Sequence, residues 1–406
     1  MATNHGAVRS PVQGMRSPKK VPVTGVDERP VPQTAPRMAA AAAEEALFAQ
    51  LNGAFDSDPL MDELGLVLSA APTEFGDTSG DVGAGGESGA ADGGPPFYHN
   101  HHKLGIAFYA IPILMRYVSR LFNDMRRRLL DEPGAPVDAI LMHQVTRALL
   151  LVNADHYTAW AQRRRLITRS VVDEADELRL VNLIFSKHPK SGEAWAHRRW
   201  LLGRLGPAYF DAELASCDRF CDVYPRNYYA WTHRRWITDQ MSDVGALLER
   251  SRQWIAVHVS DFSALHHRET LLVRVADLAL LDDEFDTAHR LCRLYPGHES
   301  LWQFLRFLWT HFRRLATDDD LLVRRATEMA FADECIRDDD SAFFERQRGY
   351  AASYQVWLVQ DDVASSDSAR RAAIDLCERQ RQWCPAHRVF WRRRADQLLN
   401  VEYTAR

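Results

Sequence analysis

Apolar side chains through most of the chain return at helical spacing, as in Leu214, Cys217, Cys221 and Tyr224, and no strand-like alternation of any length interrupts them. Laid over this pattern is a block that recurs. It reads His156-Tyr157-Thr158-Ala159-Trp160, Ser191-Gly192-Glu193-Ala194-Trp195, Asn227-Tyr228-Tyr229-Ala230-Trp231, Asp261-Phe262-Ser263-Ala264-Leu265 and His298-Glu299-Ser300-Leu301-Trp302. The anchors Trp160, Trp195, Trp231, Leu265 and Trp302 stand 35, 36, 34 and 37 residues apart. Such a period in helical segments predicts stacked helix pairs, each burying its apolar face only against its neighbours.

Two diverged copies end in Trp357 and Trp391, 34 residues apart, and make seven anchors in all. Trp302 to Trp357 is 55 residues, which predicts an insertion of about 20 residues, placed in the charged stretch from Arg313 to Asp340. The fold class expected is all-α: a right-handed α-α superhelix, a solenoid of about seven antiparallel helix pairs over residues 97–406.

Each position of the block has a local physical reason. Pro189, Pro225, Pro296 and Pro385 stand six before an anchor, where a residue without an N–H ends the preceding helix. Ser191, Asn227, Asp261 and Ser353 stand four before it, and short polar side chains there cap the next helix. A small or apolar residue just before the anchor lets helices approach, and the indole fills the space between them. On the second helix, Arg198, Arg199, Arg234 and Arg235, with His197, His233 and His267, are expected to make inter-repeat ion pairs and to stack on aromatic faces.

Composition sets residues 1–96 apart as rich in Ala, Gly, Pro and Ser, a low-complexity region expected to be mostly disordered. One island near 44–68, with Leu47, Phe48, Leu51 and Phe55 followed by Leu60, Met61, Leu64, Leu66, Val67 and Leu68, predicts one or two short helices docked on the repeats. The net charge of −5 gives no reason to propose a nucleic-acid partner. The longest apolar run, Leu104 to Met115, contains Pro112 and falls well short of the roughly 20 residues needed to cross a bilayer; it reads as a buried helix. Six cysteines without a CxxC pair or disulfide-like spacing, and no secretion signal, point to a reducing, cytoplasmic setting, and Cys217 and Cys221 read as core rather than metal ligands.

The blocks Trp195-Ala196-His197-Arg198-Arg199-Trp200 and Trp231-Thr232-His233-Arg234-Arg235-Trp236, after Pro-Lys-Ser and Pro-Arg-Asn-Tyr, resemble the signature repeat of protein prenyltransferase α subunits. The likeness is strong over about residues 140–312 and weaker to Arg406. The segment Phe55 to Leu68 and Lys103-Leu104-Gly105 are similar to the start of the repeat-containing branch of the family rather than to farnesyltransferase α. This resemblance implies a crescent that wraps a β subunit, the partner carrying zinc, so that no cofactor or metal is expected in this chain. The pair would transfer an isoprenoid, here with the geranylgeranyl type favoured, from its diphosphate to a cysteine thiolate of an acceptor protein, and the isolated chain would be inactive. It also implies that Lys190 neutralises the leaving diphosphate, with Arg226, Tyr228 and Tyr229 as candidate substrate-binding neighbours. An ammonium beside a helix N-terminus suits an anion whose charge grows as a carbon–oxygen bond breaks. Where the family has a tyrosine two residues after this lysine, Gly192 stands here.

Other chemistry-bearing patterns are weaker. His99, His101 and His102 lack further ligands at metal spacing and read as linker residues. The glycines of 83–89 follow no strand and lack GK[ST], so no phosphate loop is expected. Asp318 to Asp320 and Asp338 to Asp340 read as solvated caps. A second functional reading is a non-catalytic helical scaffold of the TPR-like kind that binds a protein partner, motivated by Gly192 and by Leu265 in place of tryptophan.

Overall fold

A computed structural model of the chain describes residues 35–70, 94–131, 137–337, 345–359, 367–383 and 387–399. It opens with helix α1 (Ala35–Ser57), three short strands, β1 (Glu63–Val67), β2 (Phe97–Asn100) and β3 (Lys103–Ala107), and helix α2 (Ala110–Asp131). The strands form one sheet in the order β1-β3-β2, with β1 parallel and β2 antiparallel to β3. Two expectations are corrected here. The second half of the island is a strand rather than a helix, and Lys103-Leu104-Gly105 is β3, with the helix starting only at Ala110. The local pattern hid both strands because their pairing is distant, Leu64 lying opposite Leu104. His101 and His102, both at positive φ (47° and 64°), form the two-residue β2–β3 turn. They are therefore turn residues and not linker. His99 Nε2 and His102 Nδ1 each lie 2.8 Å from the Asp58 carboxylate, and the His99 bond leads in holding that carboxyl down to about 2.

This N-terminal layer sits on the repeats. Leu47, Phe48 and Leu51 are buried, Glu44 receives Arg120 of α2 at 2.9 Å, and the Leu64 N–H donates to Ser186 at 2.8 Å.

Among the described residues the solenoid follows as seven antiparallel helix pairs: α3 (Ala139–Val152) with α4 (Tyr157–Thr168), α5 (Glu174–Lys187) with α6 (Gly192–Leu205), and α7 (Phe210–Val223) with α8 (Tyr228–Thr238). The series continues with α9 (Val244–Val257) and α10 (Phe262–Leu272), α11 (Leu278–Leu294) and α12 (Glu299–Phe312), α13 (Asp318–Arg337) and α14 (Glu345–Leu358), and α15 (Asp367–Trp383) and α16 (Arg388–Leu399). The second helices α4, α6, α8, α10, α12 and α14 pack on one another in succession. Trp160, Trp195, Trp231, Leu265, Trp302 and Trp391 each occupy the fourth residue of a second helix and are buried, so equivalent anchors sit on equivalent elements.

Trp357 does not fit that scheme. It is the thirteenth residue of α14 and only half-buried. The buried series Ala351, Ala352, Tyr354, Gln355 and Leu358 repeats Ala194, Trp195, His197, Arg198 and Leu201, so Ala352 is the sixth anchor. Ser353 correspondingly is no cap; its hydroxyl donates to Gly349 O inside α14. The charged stretch proposed as an insertion is α13, the 20-residue first helix of its own pair, against 14 residues in α5, α7 and α9. Pro385 and Asp338 to Asp340 lie outside the described residues.

Consecutive pairs are joined by buried carboxylates. Glu177 of α5 receives Arg163 of α4 and His197 of α6, the latter at 2.7 Å. Glu213 of α7 receives Arg198 at 2.6 Å and His233 at 2.8 Å. Glu284 of α11 receives Arg268 and Arg252. Burial would raise the Glu213 carboxyl, but the Arg198 guanidinium and His233 ring outweigh it and hold it down to about 2. Each of these glutamates stands 18 residues before an anchor. In the fourth pair that position is Leu247, and His267 there is buried with both ring nitrogens unpartnered among the described residues. Arg234 turns instead to Asp218.

Candidate functional site

Lys190 and its neighbours are built on the turn from α5 to α6. Helix α5 stops at Lys187, Pro189 follows, and Ser191 caps α6 by accepting from the Ala194 N–H at 3.2 Å. The carbonyl six before an anchor is the fixed point of the lattice. Pro189 O accepts the Trp195 indole N–H at 2.8 Å and, from the next pair, the Asn227 amide at 2.7 Å. One repeat earlier, Ala154 O accepts Trp160 Nε1 at 2.7 Å and Ser191 Oγ at 3.0 Å. The backbone that carries Lys190 is therefore clamped from both sides, while Lys190 itself is exposed and makes no ion pair among the described residues.

Asn227 is the N-cap of α8, accepting from the Ala230 N–H, so the bond that holds Pro189 O also fixes Tyr228 and Tyr229 beside the Lys190 turn. Arg226 precedes that cap at φ 60°, a left-handed conformation that is unusual for a side chain with a Cβ. A Cβ on Gly192 would lie 3.1 Å from the Tyr229 ring. The space next to residue 192 is thus occupied by an aromatic ring supplied from α8, and glycine is what admits it. Tyr228 meets Tyr229 edge-on at 5.8 Å. The structure brings Lys190, Gly192, Tyr228 and Tyr229 to one edge, the N-termini of adjacent second helices, with Arg226 in the turn that enters it. Tyr157, Tyr228 and Phe262, each the first residue of its second helix, are exposed along the same edge. Between α8 and α10 it opens into a groove of about 170 Å³ lined by Tyr228, Trp231, Phe262 and His267.

The second-helix basic residues are structural, as their pattern implies. Arg198 holds the buried Glu213 carboxylate and Arg234 the half-buried Asp218, Arg199 stands 5.7 Å from the Trp236 ring, and His197 stacks on Trp160 at 4.4 Å. Glu213, Cys217 and His233 lie close enough to share an ion. Their chemistry opposes it: Glu213 already neutralises Arg198, and burial pushes the Cys217 thiol up to about 12, so it stays protonated. Cys217 and Cys221 are core, as expected. Asp320 forms a reciprocal cap with Thr317 at the start of α13. The buried glutamates escaped the sequence reading, although their recurrence 18 before the anchor was the signal that could have found them.

Four stretches of the chain match the family described as protein prenyltransferase alpha subunit repeat: residues 142–170, 174–205, 210–241 and 281–312. These are the first, second, third and fifth helix pairs; the fourth, which has Leu247 and Leu265, is passed over. Protein prenyltransferase alpha subunit repeat-containing protein 1 of Danio rerio is 30% identical over 281 residues, covering 52% of this chain and 64% of that protein. The chain thus spans a little under two thirds of that relative. Geranylgeranyl transferase type-2 subunit alpha of Sus scrofa is 32% identical over 193 residues, 41% of this chain and 33% of that protein. Among solved structures, a chain of Candida albicans protein geranylgeranyltransferase-I complexed with GGPP superposes with a TM-score of 0.51 at 19% identity, covering 66% of this chain and 87% of that one. That likeness is one of fold. Repeat matches on four helix pairs and anchors at equivalent positions agree, and the chain carries repeats that match the protein prenyltransferase alpha subunit repeat.

Proposed function

We propose that this chain is the α-type subunit of a heterodimeric protein prenyltransferase of the geranylgeranyl type, wrapping a zinc-containing β subunit in the cytoplasm. The isoprenoid diphosphate and the acceptor protein meet it through that complex. In this reading the partner holds the lipid and the metal, and the cysteine thiolate of the acceptor attacks the carbon that the diphosphate leaves. Lys190 meets the growing negative charge of the diphosphate at the N-terminus of α6, and Arg226, Tyr228 and Tyr229 line its approach. Supporting it above all is the clamped Pro189 carbonyl, which holds the Lys190 turn against the N-terminus of α8. The Tyr229 ring over Gly192 further supports it, since it keeps an aromatic surface at the point that motivated the scaffold reading. No described helix is long and apolar enough to cross a membrane.

Co-expression of the full chain with farnesyl- and geranylgeranyl-type β subunits, followed by lipid transfer to cysteine-bearing acceptor proteins, tests this. A stoichiometric, active complex with a geranylgeranyl-type partner is the expected result, with the isolated chain inactive. Lys190→Ala should slow transfer on the order of a hundredfold, the scale of removing one preorganised electrostatic contact. Failure to form a complex with any β subunit refutes the enzyme-subunit reading and favours the scaffold. An active complex indifferent to Lys190→Ala refutes the role of Lys190 alone.

A further inference from the structure

The exposed faces of the second helices carry a periodic pattern of their own beside the buried anchors. Four residues past the anchor stand Arg164, Arg199 and Arg235, and five past it stand Arg165, Trp200 and Trp236. Two of the arginines reach forward to the next second helix: Arg164 lies 5.6 Å over the Trp200 ring and Arg199 5.7 Å over the Trp236 ring. One face of α4, α6 and α8 therefore alternates guanidinium and indole, with Arg165 exposed at its start. One residue past the anchor the side chains are small, Ala161, Ala196 and Thr232, and nothing bulky on that row overhangs the stripe.

Stacking fixes these guanidiniums without neutralising them. The arginines one position earlier, Arg163, Arg198 and Arg234, turn inward to Glu177, Glu213 and Asp218. Arg164 and Arg199 bury only Nε; their Nη atoms reach solvent and meet no acceptor among the described residues. Burial lowers the Arg199 guanidinium from its ordinary value, and no neighbouring carboxylate draws it back. Within α4, α6 and α8 the one carboxylate is Glu193, with Asp239 just past the end of α8, and Arg204 is already met by Glu174 of α5. The stripe has a defined end. Arg235 meets His266 at 3.1 Å, His266 meets Glu269, and Glu269 stands where the preceding second helices have arginine. The second helices pack in succession at a spacing of about 9 Å, and an extended chain advances about 3.3 Å per residue. A polypeptide lying across α4, α6 and α8 thus meets a new guanidinium at every third residue, with an indole between for its aliphatic and backbone atoms. The net charge of −5 disfavours nucleic acid, whose phosphates the rest of the surface repels, whereas spaced carboxylates need only the local stripe.

We propose that the stripe of Arg164, Trp200, Arg199 and Trp236 is a docking surface for an extended acidic segment of a partner protein. Each carboxylate of that segment pairs with a guanidinium already held in place by an indole, so little side-chain freedom is lost on binding. Arg164 and Arg199 stand about two turns into their helices from the Lys190 edge. The surface requires neither Lys190 nor a β subunit, so its fate is independent of the lipid-transfer reading.

The test uses the isolated full chain and a fluorescein-labelled peptide of four Glu-Gly-Ser repeats, followed by fluorescence anisotropy. The same peptide with glutamine for glutamate and a twelve-nucleotide oligothymidylate are the comparison probes. The expected outcome is saturable binding of the acidic peptide, lost with the glutamine peptide and weakened at about 0.5 M salt, where the screening length falls to about 4 Å. Arg199→Gln should weaken binding about three- to fivefold, and Arg164→Gln with Arg199→Gln about tenfold or more. Both leave the inward-facing Arg163 and Arg198 in place, and Arg199→Lys, which keeps the charge, should retain most of the binding and guards against a variant that does not fold. Arg128→Gln removes an exposed charge from α2, outside the stripe, and should leave binding unchanged. The proposal is overturned if the acidic peptide does not bind, if the glutamine peptide or the oligothymidylate binds as tightly, if Arg128→Gln weakens binding as much as Arg199→Gln, or if the folded double variant binds undiminished.

Discussion

Replacing Glu213 by leucine is the sharpest probe of how the helix pairs are joined. Glu213 is 3% exposed, Arg198 1% and His233 0%, so water cannot substitute for the lost carboxylate. In Glu213→Leu the Arg198 guanidinium keeps only its bond to the Asn182 side chain at 2.7 Å, and a buried charge is left without a counter-charge. Breaking such a pair costs about 3–5 kcal/mol, and at roughly 2 °C per kcal/mol for a chain of this size the melting midpoint should fall by about 6–10 °C. Exchanging both partners for apolar residues is a different perturbation: Glu213→Leu with Arg198→Met should recover most of the loss, since a buried pair and a well-packed apolar pair are often close in stability. In the fourth helix pair Leu247 stands at the corresponding position and the arginine, Arg234, is kept only because Asp218 takes the place of the missing carboxylate. Because an array can open locally, the melts should be accompanied by amide exchange resolved over α7 and α8, where protection should fall first. A single mutant that costs less than about 1 kcal/mol, or a double mutant at least as unstable as the two single effects combined, refutes the clamp.

Acid should act on the fold in two windows. His267 is pushed down to about 3 by burial and by Arg234 and Arg235, so the unfolded ring, with an ordinary value of 6.5, takes up a proton first, and stability falls as pH drops from 6.5 towards 3. His267→Leu should remove about 1.4 kcal/mol per pH unit from the slope between pH 6 and 4; an unchanged slope in pH-dependent melts contradicts the assignment. Glu213, held down to about 2 against an ordinary 4.5, adds a further loss below pH 4.5 that Glu213→Leu should abolish. Asn227→Ala removes both the α8 cap and the amide bond to Pro189 O, and should cost about 1–3 kcal/mol with exchange rising in the first turn of α8. Asn227→Ser should restore the cap alone, and equal stability of the two variants would show that the cap is irrelevant.

What was legible in the sequence is what acts within one repeat. Proline at 189, 225 and 296, the caps Ser191, Asn227 and Asp261, and the indoles all work on residues a few positions away, and the structure has them in those roles. The candidate edge was legible for the same reason, as Lys190 and Tyr228 sit at fixed offsets from their anchors. What failed was non-local. Strand β1 has no reason to be a strand until β3, 40 residues on, lies beside it, and Glu177 looks like any surface glutamate until Arg163 and His197 converge on it. The misplaced sixth anchor carries the larger lesson. Trp357 drew the pattern to itself because an indole is conspicuous, yet Ala352 holds the anchor place while Tyr354 meets Trp302 edge-on at 5.7 Å and donates to Glu328 at 3.0 Å. Tyr354 stands two after its anchor, where His197 and His233 stand after theirs, and serves a buried carboxylate in the same way. Leu265 likewise holds an anchor place without an indole. The unit that recurs is thus the polar contact two residues past the anchor, aimed at an acid on the first helix of its own pair, and the tryptophan is one of several ways to fill the space beside it. A search for further copies keyed to that contact finds Ala352; one keyed to the indole does not.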